Sequence, residues 1–99
     1  MPTLTIANGQ TDSGELDLRE SGMLVRRNYD FRIPAHGQTV KVYVAPAPSG
    51  TYLAINDGFG NDYTLVASKF QYLTNLKVGS MKLIAGAAVT GAQVFTIEW

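Results

Sequence analysis

Apolar residues recur at every second position along most of this chain, and turn-forming residues interrupt them about every ten residues. Leu4 and Ile6 alternate with Thr3, Thr5 and Ala7. Leu16 and Leu18 alternate with Glu15, Asp17 and Arg19, and Val40, Val42 and Val44 with Lys41 and Tyr43. Tyr63, Leu65 and Ala67 make a further stripe. In the last run Phe95, Ile97 and Trp99 share one face, opposite Val94, Thr96 and Glu98. Side chains two apart leave a strand on the same side, so each run can turn an apolar stripe inward. No segment sustains a helical 3-4 repeat; Ser68 to Leu76 is short and polar and reads equally well as a turn leading into a strand.

The stops between runs have physical causes. Gly and Asn supply positive φ, and Pro fixes φ while removing a backbone donor. Such residues stand at Asn8-Gly9, Ser13-Gly14, Ser21-Gly22, Pro34 to Gly37, Pro46 to Gly50, Asp57 to Asn61, Gly79-Ser80 and Gly86 to Gly91. Short runs at this spacing predict an all-β fold, an antiparallel β-sandwich of jelly-roll or Ig-like winding with about eight strands. No linker or repeat divides the sequence, so residues 1–99 are expected to form a single domain. By surface scaling, a 10.7 kDa chain keeps roughly 5,500 Å² accessible of about 15,500 Å² unfolded, burying about two-thirds.

Charge narrows the function classes. Eight basic residues balance eight acidic ones, which disfavours a nucleic-acid binder needing an excess of Lys and Arg. Only 16% of residues are charged, against about 25% in an ordinary soluble domain, and near-zero net charge favours association. Without Cys there is no disulfide, thiolate zinc site or thiol chemistry. No apolar run approaches the ~18 residues of a membrane helix, and Met1 to Leu4 lack the basic and apolar segments of a signal peptide.

Several strings invite a catalytic or ligand reading. Asp12-Ser13-Gly14 resembles the motif of retroviral-type aspartic proteases, in which two carboxylates share a proton in an apolar setting. That family runs an apolar strand into its Asp, whereas polar Gly9-Gln10-Thr11 precede it here, so a surface turn is expected. His36 is the lone His and lies in a loop without a nucleophile elbow, which leaves no Ser-His-Asp triad and makes an exposed loop side chain the expected reading. Asp57, Asn61 and Asp62 carry oxygen ligands but not the EF-hand spacing, and Gly58 and Gly60 among them point to a hairpin turn. Gly58-Phe59-Gly60 and Gly86-Ala87-Ala88 lack the following helix that a phosphate cradle uses. No catalytic residue, metal or cofactor is assigned.

Two groups remain as contact candidates. Arg26, Arg27 and Arg32 flank Tyr29 and Phe31, a basic cluster with aromatics suited to protein contact, or a solvated strand face paired with Asp17, Glu20 and Asp30. Tyr43, Tyr52, Tyr72 and Trp99 are candidates for a sugar-binding aromatic platform.

Three stretches carry a resemblance. Thr3 to Gln10 leads to Glu15-Leu16-Asp17-Leu18; Tyr52 to Leu65 reads Tyr-Leu-Ala-Ile-Asn-Asp-Gly-Phe-Gly-Asn-Asp-Tyr-Thr-Leu; and Met81 to Gly86 precedes a Gly/Ala-rich gap and Val94 to Trp99. Their order and spacing resemble small β-sandwich virion proteins of tailed bacteriophages, of the capsid-decoration (cement) and head-fibre kind. The Arg- and His-bearing stretch 19–38 departs from that pattern, and no adhesion domain follows Trp99. The resemblance implies a non-enzymatic protein made in the bacterial cytoplasm and carried on the capsid surface of the virion. It would bind the major capsid protein as a homotrimer, with no nucleic-acid or membrane partner. The interface expected on this reading comprises Leu4, Ile6, Arg26, Arg27, Arg32 and Trp99, with residues 1–8 an N-terminal arm or edge strand for a coat subunit's sheet. Removing that arm should then leave a folded protein unable to attach. The alternative implied is a carbohydrate- or receptor-binding module of a tail or baseplate.

Overall fold

The computed structural model describes residues 2–99 and contains nine strands among them, in two antiparallel sheets. In chain order they are β1 Thr3–Ile6, β2 Leu16–Asp17, β3 Val25–Arg32, β4 Val40–Ala45, β5 Leu53–Ala54, β6 Thr64–Leu65, β7 Phe70–Val78, β8 Ser80–Ala85 and β9 Gln93–Glu98. One sheet has the order β1-β9-β3-β7. The other runs β2-β8-β4-β5, with β6 also on β4.

The pairing is nested. β1 pairs β9, β2 pairs β8, β3 pairs β7, and β4 pairs both β5 and β6, so the chain is one long hairpin doubled back at residues 46–52. Rolling that hairpin into two layers brings β9 onto β3 and β8 onto β4. This is the jelly-roll winding, which decides between the two topologies that alternation alone permits. β5 and β6 share the place of one strand: β5 pairs Tyr43 and Val44 of β4, β6 pairs Val40 and Lys41, and the hairpin 56–62 projects between them.

Alternation sets what faces inward. On β3 Tyr29 and Phe31 are fully buried, whereas Arg26, Asn28, Asp30 and Arg32 face outward. Val40 and Val42 of β4, Met81 and Leu83 of β8, and Phe95 and Ile97 of β9 meet them in the core. The accessible surface, 5527 Å², is the area expected for a compact chain of this mass. The β7 edge is stitched to the opposite sheet by Gln71, whose Nε2 donates to Thr64 O and whose Oε1 accepts from Val66 N.

Ser80 is the buried polar group that ties the second sheet to its rim. Its Oγ donates to Leu16 O (3.1 Å) and lies 2.6 Å from the Tyr52 hydroxyl, which donates to it. Burial pushes the Tyr52 phenol above its usual value of about 10; the Ser80 hydrogen bond pulls it down by less, and Glu15 adds to the rise. A raised phenol pKa means the folded state keeps a proton that the unfolded chain releases above pH 10, so this contribution is lost as pH rises through the folded value. Tyr52→Phe is expected to flatten the fall in stability above about pH 10, read from urea midpoints at stepped pH.

Candidate interaction surface

The residues expected to form one interface are distributed over three environments. Leu4 and Ile6 are 4% and 0% exposed, so they belong to the core and are closed to a partner; Thr3 and Thr5 are the outward residues of the same strand. Residues 3–6 are an edge strand paired along β9, whereas Met1 lies outside the described residues.

Arg27 turns inward. On β3 it shares the face of Tyr29, and its guanidinium donates to Leu18 O at 2.6 Å and to Glu20 Oε1 at 2.7 Å. Its Cζ lies 4.9 Å from the centre of the Trp99 ring, and Trp99 meets Tyr29 edge-on at 5.6 Å and 72°. Arg27 and Trp99 therefore close one end of the core, with the indole still half in solvent. Arg26 and Arg32 point to the outer face of the same strand.

That outer face of the β1-β9-β3-β7 sheet is the best candidate surface. Register places Thr96, Arg32 and Phe70 in one row across β9, β3 and β7, and Glu98, Asp30 and Tyr72 in the next. These six side chains line a groove of about 240 Å³. Phe70 and Tyr72 are 64% and 63% exposed, and the Arg32 guanidinium sits 5.6 Å above the Phe70 ring. Val94, on the same face of β9, is also exposed.

Asp30 and Glu98 are direct cross-strand partners, and neither forms an ion pair among the described residues. Like charges opposite one another weaken a sheet. Carboxylates, a guanidinium and two aromatic faces around one groove offer hydrogen-bond acceptors, donors and apolar contact to an outside partner.

Other strings flagged in the sequence have local structural tasks. Asp12 accepts from Gly14 N at 2.8 Å and pairs with Lys82 at 3.1 Å, while Ser13 Oγ accepts from Leu83 N, so this is a surface turn laid along β8. His36 is not the exposed loop side chain expected. It is half-buried, tilted against Phe95 at 6.0 Å, with Nε2–H donating to Leu65 O at 2.9 Å. Asp57 Oδ1 accepts from Phe59 N and Asn61 N, and Asp62 pairs with Lys41 at 2.9 Å. These contacts hold the expected hairpin turn.

The four aromatics considered for a platform do not form one. Tyr43 and Tyr52 are half-buried on the other sheet, and Trp99 packs on Tyr29. Tyr72 is the member that stands on the open face of a sheet, and its neighbour there is Phe70, from the Ser68 to Leu76 stretch that reads equally well as turn or strand. No helix of the described residues is long and apolar enough to cross a membrane. No family model, curated protein or solved structure matches the chain.

Proposed function

We propose that this chain is a non-enzymatic capsid decoration (cement) protein that binds the outside of a phage head through the outer face of its β1-β9-β3-β7 sheet. The observation that carries the reading is the Phe70–Tyr72–Arg32 surface with its unpaired Asp30 and Glu98. Exposed aromatics and Arg are the residues that concentrate at the centre of protein interfaces. The resemblance of the three stretches to virion proteins supplies the partner, the major capsid protein. Fold alone does not choose, because jelly rolls serve capsids and lectins alike.

The mechanism is linkage. A protein that binds the mature lattice and not its loosened form stabilises the mature form by mass action. Four strands about 4.8 Å apart and about 20 Å long present roughly 400 Å² in projection, against about 800 Å² per partner in a standard interface. One such contact is weak, and a homotrimer at a local threefold position multiplies it by effective concentration. Immunogold labelling of purified phage particles carrying this gene tests the reading: dense label over heads is expected, and particles without label would overturn it.

The same groove favours a second reading, carbohydrate binding in a tail or baseplate module. Tyr72 offers a face for a pyranose ring, with Asp30 and Glu98 as acceptors for its hydroxyls. On that reading label gathers at the tail tip and the protein gives hits on a glycan array that Tyr72→Ala abolishes. An array without hits would remove it.

A further inference from the structure

The hairpin between β5 and β6 carries the most exposed large apolar side chain among the described residues: Phe59 is 88% in solvent. It is not a loose tip. Asn56 Oδ1 accepts from Gly58 N at 2.7 Å, Asp57 Oδ1 accepts from Phe59 N at 2.7 Å, and Asp57 N donates to Asn61 O at 2.9 Å. Gly58 and Gly60, on either side of Phe59, hold φ of 89° and 90°, a conformation that favours glycine. Lys41 then ties Asp62, at the base of the hairpin, back to β4. A ring held out by an ordered turn loses little freedom when it is buried, which makes it an efficient anchor.

A receptor for such a ring lies further along β4. An apolar cleft of about 270 Å³ opens between the ends of the two sheets, lined by Leu24, Val44, Pro46, Leu53, Val78 and Lys77 among others. Leu53 at its rim is 69% exposed, and Met23, one residue before Leu24, is 70% exposed. Phe59 does not fill this cleft in its own chain, because it stands in solvent.

Charge identifies the occupant. The rim of the cleft carries a cation: Lys77 lines it and has no carboxylate partner among the described residues, while its cross-strand neighbour Arg26 turns its guanidinium to Asn75. The hairpin tip is acidic. Asp57 has no cationic partner among the described residues and stands two residues from Phe59. An aromatic knob beside a carboxylate therefore matches an apolar cleft beside an unpaired cation.

We propose that Phe59 of one copy of this chain seats in the Leu24–Leu53–Val78 cleft of a second copy, with Asp57 meeting Lys77. The contact joins different patches of the two copies, so it either closes a ring, the trimer of the preceding reading included, or is exchanged across a twofold axis. A Phe buries about 150–250 Å², so one knob gives weak, concentration-dependent association. The inference concerns how copies meet one another and needs no capsid, so its failure and that of the decoration reading are separable.

Sedimentation velocity of the purified chain at rising concentration tests it. The expected result is growth of species heavier than the 10.7 kDa monomer, weakening as salt increases. Phe59→Ser is expected to weaken association by about tenfold or more with an unchanged circular dichroism spectrum, as for an interface anchor. Leu53→Asp spoils the cleft and should do the same. Mixing the two variants should restore one contact, because one keeps the cleft and the other the knob. Asp57→Asn retains the turn's acceptor oxygen and should remove most of the salt dependence. A chain that stays monomeric at every concentration would overturn the proposal, as would Phe59→Ser associating like the parent.

Discussion

Gly79→Ala is expected to abolish the cooperative urea transition, or at the least to lower stability by about 3 kcal/mol, far more than any other glycine substitution in the chain. Gly79 is the single residue between β7 in one sheet and β8 in the other, at a corner where both neighbours, Val78 and Ser80, are buried. Its N–H donates to Ala45 O at 3.0 Å and its carbonyl accepts from Leu18 N at 2.9 Å. A Cβ here would stand 1.7 Å from Pro46 O and 2.3 Å from Pro46 C. Those atoms are backbone and cannot swing aside, so the corner must open and surrender both hydrogen bonds. Gly37→Ala is the control, because a Cβ at Gly37 meets nothing within 4 Å. A Gly79→Ala protein with the parent's denaturation midpoint would refute this account of the corner.

Deleting residues 1–8 is expected to leave a chain that does not fold, in contrast to the detachable arm that the sequence suggests. The deletion removes Leu4 and Ile6 from the core and strips β9 of its β1 partner. Truncating a buried aliphatic side chain costs about 2–5 kcal/mol, and a small domain has only about 5–15 kcal/mol in all. Thr5→Lys, which changes the outward side of the same strand, should unfold at nearly the parent's temperature. Circular dichroism melts of the two proteins separate the possibilities; a deleted chain that melts like the parent would return β1 to the status of an arm.

The sequence is legible where one face is buried and the other wet. Val40-Lys41-Val42 and Phe95-Thr96-Ile97 alternate cleanly because each inward residue meets the core and each outward one does not. β7 hides for the opposite reason. Its outward residues include Phe70 and Tyr72, Gln71 points toward the other sheet, and Asn75 at φ 57° breaks the period beside a register shift opposite Arg27 to Tyr29. Alternation also distinguishes Arg27 from Arg26, since only Arg27 lies an even number of residues from Tyr29. The candidate groove was out of reach altogether. Asp30, Tyr72 and Glu98 become neighbours through strand register, which depends on how distant segments pair and leaves no mark in the spacing of any one of them.

Nested pairing makes this a chain whose folding must wait for its own completion. Thr3 of β1 is paired with Thr96 of β9, so the first strand described receives its partner only after the last one exists. β4, β5 and β6 can pair early around the 46–52 connection, and closure spreads outward through β3 with β7 and β2 with β8. Loop-closure entropy for such distant pairs is spent before their contacts reward it, which places jelly-roll windings among the slow folders. A ribosome making this chain holds a half-built sandwich until β9 emerges, with Phe31 and Val42 awaiting their cover. The interval between those two events is when the chain is most open to pairing with the wrong neighbour.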